Sequence, residues 1–270
     1  MASQHHRDPD RLLPADRRSR DVARALYERV AAAPIISPHG HVPVDRIAND
    51  TPFADPASLL VSEDHYITRL LHSAGLDLSA LGVGGGGADP RQVWTTLAEH
   101  WHLFAGTASG YWLEEELSEV LRIDEPLDAA SADRIYDGIA AKLSTQAFRP
   151  RALFRSFGIE VLATTDDPLD DLHDHARIME SDLDGRVIPT FRPDRYLDPD
   201  AADFAQRLER LLSTTGQPGT FEGYLAALES RREHFIRHGA VSADHGVEEA
   251  HTLDLGPSEG RQLFQAIATG

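Results

Sequence analysis

Short apolar segments that alternate with helices constrain the fold of this chain more than any other feature. The strand candidates are Ile35-Ile36 and residues 160–165, 187–191 and 240–243, and predicted helices separate them. Strands joined through helices pair in parallel, because the helix carries the chain back to the starting edge of the sheet. The sequence therefore predicts an α/β fold with a parallel sheet of short, buried strands.

A long helical block lies between the first two strand candidates. Asp55-Pro56 and Asp89-Pro90 each combine a capping aspartate with a proline at the first helical position. The first of these pairs leads into one predicted helix that runs to Gly75. We interpret the block as an insertion. The predicted organisation is a polar N-terminal segment at residues 1–18, an α/β part at residues 19–54 and 145–270, and the helical insertion at residues 55–144.

Composition argues against several classes of protein. The 270 residues include 44 acidic and 26 basic ones, a formal net charge of −18 that argues against nucleic-acid binding. The sequence lacks an apolar run of the roughly 18 residues that a membrane span needs, and residues 1–20 lack the apolar centre of a signal peptide. Cysteine is absent, which excludes disulfides and thiolate ligands. We expect a cytoplasmic protein that binds neither nucleic acid nor a membrane.

Polar or ionisable residues follow each strand candidate. They are His39 and His41 after the first, Asp166-Asp167 after the second, Arg192 after the third, and Asp244-His245 after the fourth. Parallel α/β proteins build their active sites at the carboxyl ends of their strands. The four polar strand ends together therefore predict an active site at this edge of the sheet.

His39 and His41 flank Gly40. Side chains two residues apart on a strand point to the same face, so both imidazoles can meet one divalent ion. The glycine leaves room for a close approach of the metal or the substrate. The alternative is a solvated loop in a chain that contains 14 histidines. The preceding apolar strand and the other polar strand ends favour the metal site.

Arg192 and the Asp166-Asp167 pair have simpler alternatives. The planar guanidinium of Arg192 suits a carboxylate, although an ordinary surface salt bridge explains it equally well on local grounds. Asp166-Asp167 precedes a proline and a predicted helix that runs to Met179. We interpret this pair mainly as the N-cap of that helix.

The helical block contains aromatic residues and one histidine–tyrosine pair. Trp94, Trp101 and Trp112 are predicted to lie in its core. His65 and Tyr66 are adjacent within a predicted helix, where neighbouring residues face different directions. One member of this pair is therefore expected to be structural.

Six motifs carry a resemblance to a known family. They are PHGH at residues 38–41, DHY at 64–66, YWLEEEL at 111–117, TTDDPLDDL at 164–172, PTFRPD at 189–194 and ADHG at 243–246. In this order and spacing they resemble the uronate isomerases, also called glucuronate isomerases, of the amidohydrolase superfamily. The resemblance extends from about residue 20 to the end of the chain. It implies a (β/α)₈ TIM-like barrel of the metal-dependent hydrolase type, with a helical insertion after the first strand.

The resemblance also implies roles for particular residues. His39 and His41 correspond to ligands of a divalent metal, usually zinc. His65 and Tyr66 correspond to a pair that reaches into the active site from the insertion and assists proton transfer. Two further residues, Arg192 and His245, are implied to bind the substrate, although the role of the histidine is left open.

Two departures from the family pattern bear on this site. Ser37-Pro38 replaces the Asp-Tyr that commonly precedes the first histidine. The acidic metal ligand of the family comes from a later strand, and nothing in this chain occupies its position. Since four strands cannot close an eight-stranded barrel, the resemblance predicts the N-terminal part of a longer enzyme.

The implied reaction is an aldose–ketose isomerisation of hexuronates, in which a proton moves between C2 and C1. It converts D-glucuronate to D-fructuronate and D-galacturonate to D-tagaturonate. Two alternatives are a metal-dependent hydrolase of a lactone or an amide on the same barrel, and an inactive fragment. The preferred uronate and the identity of the metal stay open. Self-association as a homo-oligomer is expected from an exposed sheet edge.

Overall fold

The computed structural model describes residues 10–85, 87–246 and 252–268. Its helices are α1 (Arg17–Val30), α2 (Val44–Asn49), α3 (His65–Ser73), α4 (Pro90–Glu99), α5 (Ala108–Glu115), α6 (Ala132–Leu143), α7 (Pro150–Ser156), α8 (His173–Met179), α9 (Asp194–Leu197), α10 (Phe204–Thr215), α11 (Phe221–Arg237) and α12 (Pro257–Ala268). Its strands are β1 (Ile35–Ser37), β2 (Ile159–Ala163) and β3 (Arg186–Ile188). Ser58–Ser62 and Glu116–Val120 form π-helical turns, and Ser79–Leu81, Trp101–Phe104 and Gln146–Phe148 form 3₁₀ turns.

The strands form one parallel sheet in the order β1-β2-β3. Ile36 of β1 aligns with Val161 of β2, and Leu162 of β2 aligns with Val187 of β3. Sequential order with parallel pairing places the carboxyl ends of neighbouring strands side by side. The predicted α/β class with a parallel sheet is confirmed.

The predicted fourth strand, at residues 240–243, is not a regular strand. Ala243 makes an isolated parallel bridge with Phe191, which in turn bridges to Asp166. The N–H of Asp244 donates to the carbonyl of Phe191 at 3.1 Å. Pairing thus continues by single bridges beyond the regular strands and brings Asp244 beside the end of β3.

The chain divides into two compact units. Of the described residues, those up to 33 and from 50 to 156 form the first, here called the helical unit, which contains α1 and α3 to α7. Those from 34 to 49 and from 157 onward form the second, the sheet unit, which contains the sheet, α2 and α8 to α12. The insertion boundaries at residues 55–144 stay a prediction.

The helical unit is organised around one apolar core. Buried side chains of α3 to α6 pack together there, and the indole N–H of Trp94 donates to the carbonyl of Ala132 at 3.0 Å. Asp89 caps α4 by accepting from the N–H of Arg91, and Pro90 opens the helix as predicted. The prediction of one continuous helix from Asp55 is wrong, because a π-helical turn intervenes and the chain restarts as α3.

The sheet unit buries apolar side chains in several smaller clusters. One lies between β2 and β3 and contains Val161, Ala163 and Ile188. A second surrounds Phe191 and Phe235, whose rings meet edge to face at 5.2 Å. A third, between α10, α11 and α12, lines an open apolar groove of about 580 Å³.

The first strand differs from the prediction of buried strands. Ile35 and Ile36 of β1 are exposed, the latter with 63% of its surface accessible. In the described part of the chain β1 lies at the edge of the sheet, so only β2 has a neighbour on each side. Among the described residues, the helices include none that is both long and apolar enough to cross a membrane.

Candidate active site

Side chains from four segments of the sheet unit meet at the carboxyl ends of its strands. They are His39 and His41 after β1, Thr165 after β2, Arg192 and Asp194 after β3, and Asp244 after the bridge at residue 243. The register of the sheet produces this meeting, since neighbouring parallel strands end at the same edge.

The two histidines after β1 face each other. Their Nε2 atoms lie 3.0 Å apart, and their rings meet edge to face at 83°. Gly40 between them passes close to β2, because a Cβ at this position would lie 3.1 Å from the carbonyl oxygen of Ala163. A larger residue here would therefore require the loop or the end of β2 to shift by a few tenths of an ångström.

Each imidazole is held through its other nitrogen. Nδ1 of His39 lies 3.0 Å from Oδ2 of Asp244, and Nδ1 of His41 lies 3.0 Å from Oγ1 of Thr165. The hydroxyl of Thr165 donates to the carbonyl of Gly40 at 3.2 Å, so it accepts from the histidine. From these partners we assign a proton to Nδ1 in each ring. Both Nε2 atoms face the same place, 3.0 Å apart.

This arrangement fits a divalent metal ion. Nitrogens bound at about 2.0 Å to a tetrahedral zinc ion lie about 3.3 Å apart, close to the observed separation. Metal-binding histidines typically donate their second N–H to a carboxylate or another oxygen, as His39 and His41 do here. Among the described residues, no group of three or more histidine or acidic side chains is arranged to hold a metal. Within the described residues, this edge of the sheet therefore offers two imidazole nitrogens that face each other.

Arg192 lies beside the histidine pair and is oriented by two carboxylates. Its Nε donates to Oδ2 of Asp194 at 2.7 Å, and its Nη1 donates to Oδ2 of Asp244 at 3.1 Å. The hydrogen bond that Arg192 donates to Asp194 is the main reason that the pKa of Arg192 is raised. Oδ2 of Asp244 contacts both this guanidinium and His39, so one carboxylate links the arginine to the histidine pair.

His245 lies at the edge of this group. Its Nδ1 is 3.9 Å from Oδ1 of Asp194, and the side chain is exposed. The backbone N–H of Gly246 donates to both carboxylate oxygens of Asp194, at 3.0 and 3.1 Å. The substrate-binding role of His245 stays a proposal.

The prediction that Asp166-Asp167 caps a helix is wrong. The next helix, α8, begins only at His173. Asp166 is buried instead, and its Oδ2 accepts from the hydroxyl of Thr164 at 2.7 Å and from the N–H of Thr190 at 3.1 Å. Asp167 accepts from the hydroxyl of Tyr196 at 2.7 Å.

The sequence interpretation also missed the roles of Asp244 and Thr165. Both stand at predicted strand ends, but neither was assigned as a partner of a histidine. The alternation of the strand supplies a signal for the threonine, because Thr164 and Asp166 share one face while Thr165 points to the other. The pairing of Asp244 with His39 depends on the bridge between Phe191 and Ala243, which no local sequence pattern predicts.

His65 and Tyr66 lie in the helical unit, in the first turn of α3. The carboxylate of Asp64 caps this helix by accepting from the N–H of Tyr66 at 2.7 Å. The rings of His65 and Tyr66 lie 4.2 Å apart with their planes tilted by 34°, and both side chains are exposed. The expectation that one of them is structural stays a prediction, and neither side chain is buried at this helix start.

Trp112 and Glu116 adjoin this pair. Trp112 is 52% exposed, whereas it was predicted to lie in the core, and its ring meets that of Tyr66 edge to face at 6.4 Å. Glu116 is exposed, but desolvation of its carboxyl group, together with the charge of Asp64, raises its pKa to about 7. An aromatic and acidic surface therefore surrounds Tyr66.

The chain is similar to known uronate isomerases over nearly its whole length. A family model described as glucuronate isomerase matches residues 17–270. The uronate isomerase of Corynebacterium efficiens is 48% identical over 274 residues, which cover 100% of this chain and 58% of that protein. The uronate isomerase of Rhizorhabdus wittichii is 48% identical over 263 residues, which cover 97% of this chain and 56% of that protein.

Solved structures agree with this similarity. The crystal structure of glucuronate isomerase from Caulobacter crescentus matches with a TM-score of 0.93 and 44% identity, over 97% of this chain and 56% of that one. The uronate isomerase from Thermotoga maritima matches with a TM-score of 0.88 and 27% identity, over the same shares. The chain thus spans a little over half the length of the relatives it matches.

Proposed function

The chain belongs to the glucuronate isomerase family, and we propose that it acts in the aldose–ketose isomerisation of hexuronates. The substrates are D-glucuronate, which yields D-fructuronate, and D-galacturonate, which yields D-tagaturonate. The observation that carries this proposal is the pair of Nε2 atoms 3.0 Å apart, with each ring fixed through Nδ1 and with Arg192 on the same carboxylate.

We assign the sheet to the beginning of a (β/α)₈ barrel with a helical insertion after its first strand. The order β1-β2-β3, with parallel pairing throughout, is the order in which barrel strands follow one another. The single bridge between Phe191 and Ala243 adds a fourth parallel segment in sequence. On this assignment the side chains after β1 to β3 lie at the catalytic face of the barrel.

His39 and His41 would hold a divalent metal, which the resemblance gives as zinc. When bound, such an ion acts as a Lewis acid that polarises a substrate oxygen. The chain prepares the two rings for this role, because Asp244 and Thr165 contact their Nδ1 atoms and fix their orientation.

Arg192 would bind the C6 carboxylate of the uronate. Two of its five N–H groups are used by Asp194 and Asp244, and the remaining ones can donate to a carboxylate. The two aspartates hold the guanidinium in one orientation, which limits the entropy that binding must remove. His245 lies close enough to Asp194 to line the same subsite.

The proton transfer requires a group that removes the proton from C2 and a group that donates a proton to the C1 carbonyl oxygen. The enediol formed in this way then takes a proton at C1 while the C2 hydroxyl loses its own, which completes the ketose. Tyr66 and His65 are the residues we assign to these transfers. Their exposure at the start of α3 leaves both the hydroxyl and the imidazole accessible to a substrate.

We also propose a cytoplasmic location and self-association. The cysteine-free, acidic composition supports the location. The exposed isoleucines of β1 support self-association, since an uncovered apolar strand at a sheet edge favours pairing with another chain. Light scattering on the purified chain measures the second of these directly.

Metal binding and uronate conversion test the proposed function. The chain is loaded with zinc, incubated with D-glucuronate and followed by ¹H NMR, and D-fructuronate is the expected product. Arg192→Ala should weaken uronate binding about 10- to 100-fold, because charge-assisted hydrogen bonds contribute about 1.5–3 kcal/mol. His39→Ala should remove the stoichiometric metal.

His72→Ala is the matched control for the metal, because His72 is an exposed histidine of α3 that bonds the carbonyl of Leu76. It should leave both metal content and uronate binding unchanged. A zinc-loaded chain that neither binds nor converts any uronate would contradict the proposal. Release of a hydrolysis product that contains oxygen from water would instead assign the chain to the hydrolases.

A further inference from the structure

The sheet unit buries a polar cluster that the proposed chemistry does not use. It consists of Thr164, Asp166 and His175, whose exposed fractions are 2%, 8% and 1%. We call these three residues the buried triad. The hydroxyl of Thr164 lies 2.7 Å from Oδ2 of Asp166 and 2.8 Å from Nε2 of His175. The hydroxyl of Thr164 therefore links the carboxyl group of Asp166 to the imidazole of His175.

Burial of the three polar side chains of the buried triad costs free energy. Burial raises the pKa of Asp166 and lowers the pKa of His175, so the environment disfavours the charged form of each. Nδ1 of His175 has no hydrogen-bond partner among residues 10–85, 87–246 and 252–268. Apolar residues of similar volume often replace buried polar clusters without loss of stability. Stability by itself is therefore a weak reason for such a cluster.

The backbone contacts of Asp166 indicate what the triad does. β3 ends at Ile188, but Asp166 continues the pairing beyond that point. Its N–H donates to the carbonyl of Thr190 at 3.0 Å, and its carbonyl accepts from the N–H of Arg192 at 3.1 Å. Its side chain adds a further bond, because Oδ2 accepts from the N–H of Thr190 at 3.1 Å. One residue thus fixes the register of segment 190–192 against the end of β2.

Two site residues flank this fixed point. Thr165 immediately precedes Asp166 and holds Nδ1 of His41 at 3.0 Å. Arg192 has its backbone bonded to the carbonyl of Asp166 and its guanidinium on Asp244. A shift at Asp166 would therefore move the ring of His41 and the guanidinium of Arg192 relative to each other.

We propose that the buried triad is a positioning device that sets the distance between the metal-binding histidines and the carboxylate-binding arginine. Asp166 is the central residue, Thr164 fixes the orientation of its carboxylate, and His175 anchors the hydroxyl of Thr164 to α8. None of the three contacts the substrate. The inference rests on the proposed function, since it concerns the placement of His41 and Arg192.

The test measures cobalt and uronate binding in the full chain, with Co²⁺ as a spectroscopic probe of the metal site. Asp166→Ala should weaken Co²⁺ binding about 10- to 100-fold, the range typical for residues that orient metal ligands. Asp166→Asn should restore it close to wild type, because the amide oxygen can occupy the position of Oδ2 and accept both bonds. The amide nitrogen then lies at the position of Oδ1, which is 3.8 Å from Nε2 of His175.

Asp198→Ala is the matched control, because Asp198 is a surface carboxylate of the sheet unit that accepts a local hydrogen bond from the N–H of Asp200. It should leave both affinities unchanged. Thr164→Val is the second variant, and it decides the question if Asp166→Ala does not fold. It should weaken Co²⁺ binding, because the carboxylate loses the hydroxyl that orients it. Urea unfolding of each metal-free variant separates a loss of affinity from a loss of fold.

Wild-type affinity in folded Asp166→Ala, or in Thr164→Val, would overturn the inference while the proposed function stands. Equal weakening by Asp166→Asn and Asp166→Ala would also overturn it, since the charge rather than the accepted hydrogen bonds would then matter. A wild-type chain that binds neither Co²⁺ nor a uronate would overturn the proposed function itself, and the inference with it.

Discussion

The helical unit and the sheet unit bury different kinds of side chains. The helical unit packs one large apolar core around Trp94, and its exposed surface holds the His65-Tyr66 pair. The sheet unit divides its apolar side chains among smaller clusters and also buries Thr164, Asp166 and His175. Apolar burial stabilises in proportion to area and needs no particular geometry, whereas buried polar groups demand partners at defined distances.

This difference separates stability from positioning. A continuous apolar core tolerates changes of shape at a cost set by the volume lost. A buried polar cluster instead fixes the orientation of the groups that are hydrogen-bonded to it. In the sheet unit, this orientation determines how His41 and Arg192 are placed. The helical unit should therefore respond to mutations mainly through stability, and the sheet unit mainly through the arrangement of its site.

The largest expected effect is in the apolar core. Trp94→Ala should lower the free energy of unfolding of the helical unit by about 3–5 kcal/mol, since it leaves a large cavity. Trp112→Ala should change it by less than about 1 kcal/mol, because this side chain is half exposed. Chemical denaturation followed by tryptophan fluorescence measures both, because all three tryptophans lie in the helical unit. Equal losses in the two variants would contradict the assignment of Trp112 to the surface.

Two buried threonines of the sheet unit form a matched pair of intermediate effect. Thr164→Val should cost about 1–3 kcal/mol, because it leaves Asp166 and His175 without the hydroxyl that joins them. Thr190→Val should be neutral or stabilising by up to about 1 kcal/mol. Its buried Oγ1 has no hydrogen-bond partner in the part of the chain that the structure describes.

Far-UV circular dichroism during urea unfolding measures both threonine variants, because the sheet unit contains no tryptophan. Equal destabilisation by Thr190→Val and Thr164→Val would contradict the idea that hydrogen bonding determines the cost of substitutions in the sheet unit. Position alone, rather than hydrogen bonding, would then account for the cost.

The stability of the sheet unit should also depend on pH, through His175. Burial lowers the pKa of His175 below its ordinary value of 6.5, so the unfolded chain binds a proton more readily than the folded one. Stability should therefore be complete above pH 6.5 and fall as the pH drops below it. The charged and titratable groups that act on His175 are Asp166, Asp170, Asp174 and His238.

Urea unfolding of wild type and His175→Gln across this pH range isolates the contribution of the histidine. The difference in unfolding free energy between the two proteins should shrink toward acidic pH. A difference that stays constant from pH 8 to pH 5 would show that His175 does not titrate differently in the folded and unfolded states.

Local sequence signals predicted most of the helices and the gathering of polar strand ends. Asp89-Pro90 specifies its own helix start, because the capping bond lies within three residues. The strand ends converge because parallel strands share an edge, which is a property of the fold class and not of particular contacts. Both signals act over short distances or follow from topology alone.

Predictions failed where tertiary partners decide the outcome. Asp166-Asp167-Pro168 looks locally like a helix cap, but pairing with segment 190–192 buries the first aspartate before a helix can start. Trp112 and the isoleucines of β1 are apolar, yet their burial depends on which faces other elements cover. The partnership of His39 with Asp244 spans more than two hundred residues of sequence, and no local pattern encodes it.

The smallest expected effect returns to the helical unit and to Glu116, beside the His65-Tyr66 pair. Desolvation of its carboxyl group and the neighbouring Asp64 raise the pKa of Glu116 from 4.5 to about 7, so the folded chain holds this proton more tightly than the unfolded one. The contribution of the carboxyl group to stability is then present below pH 4.5 and lost as the pH rises through 7. Glu116→Gln should remove this dependence, but only slightly change stability, since solvent reaches part of the side chain. Tryptophan-monitored unfolding from pH 4.5 to pH 8 measures it, and an unchanged pH profile in Glu116→Gln would show that the pKa of Glu116 is not raised in the folded chain.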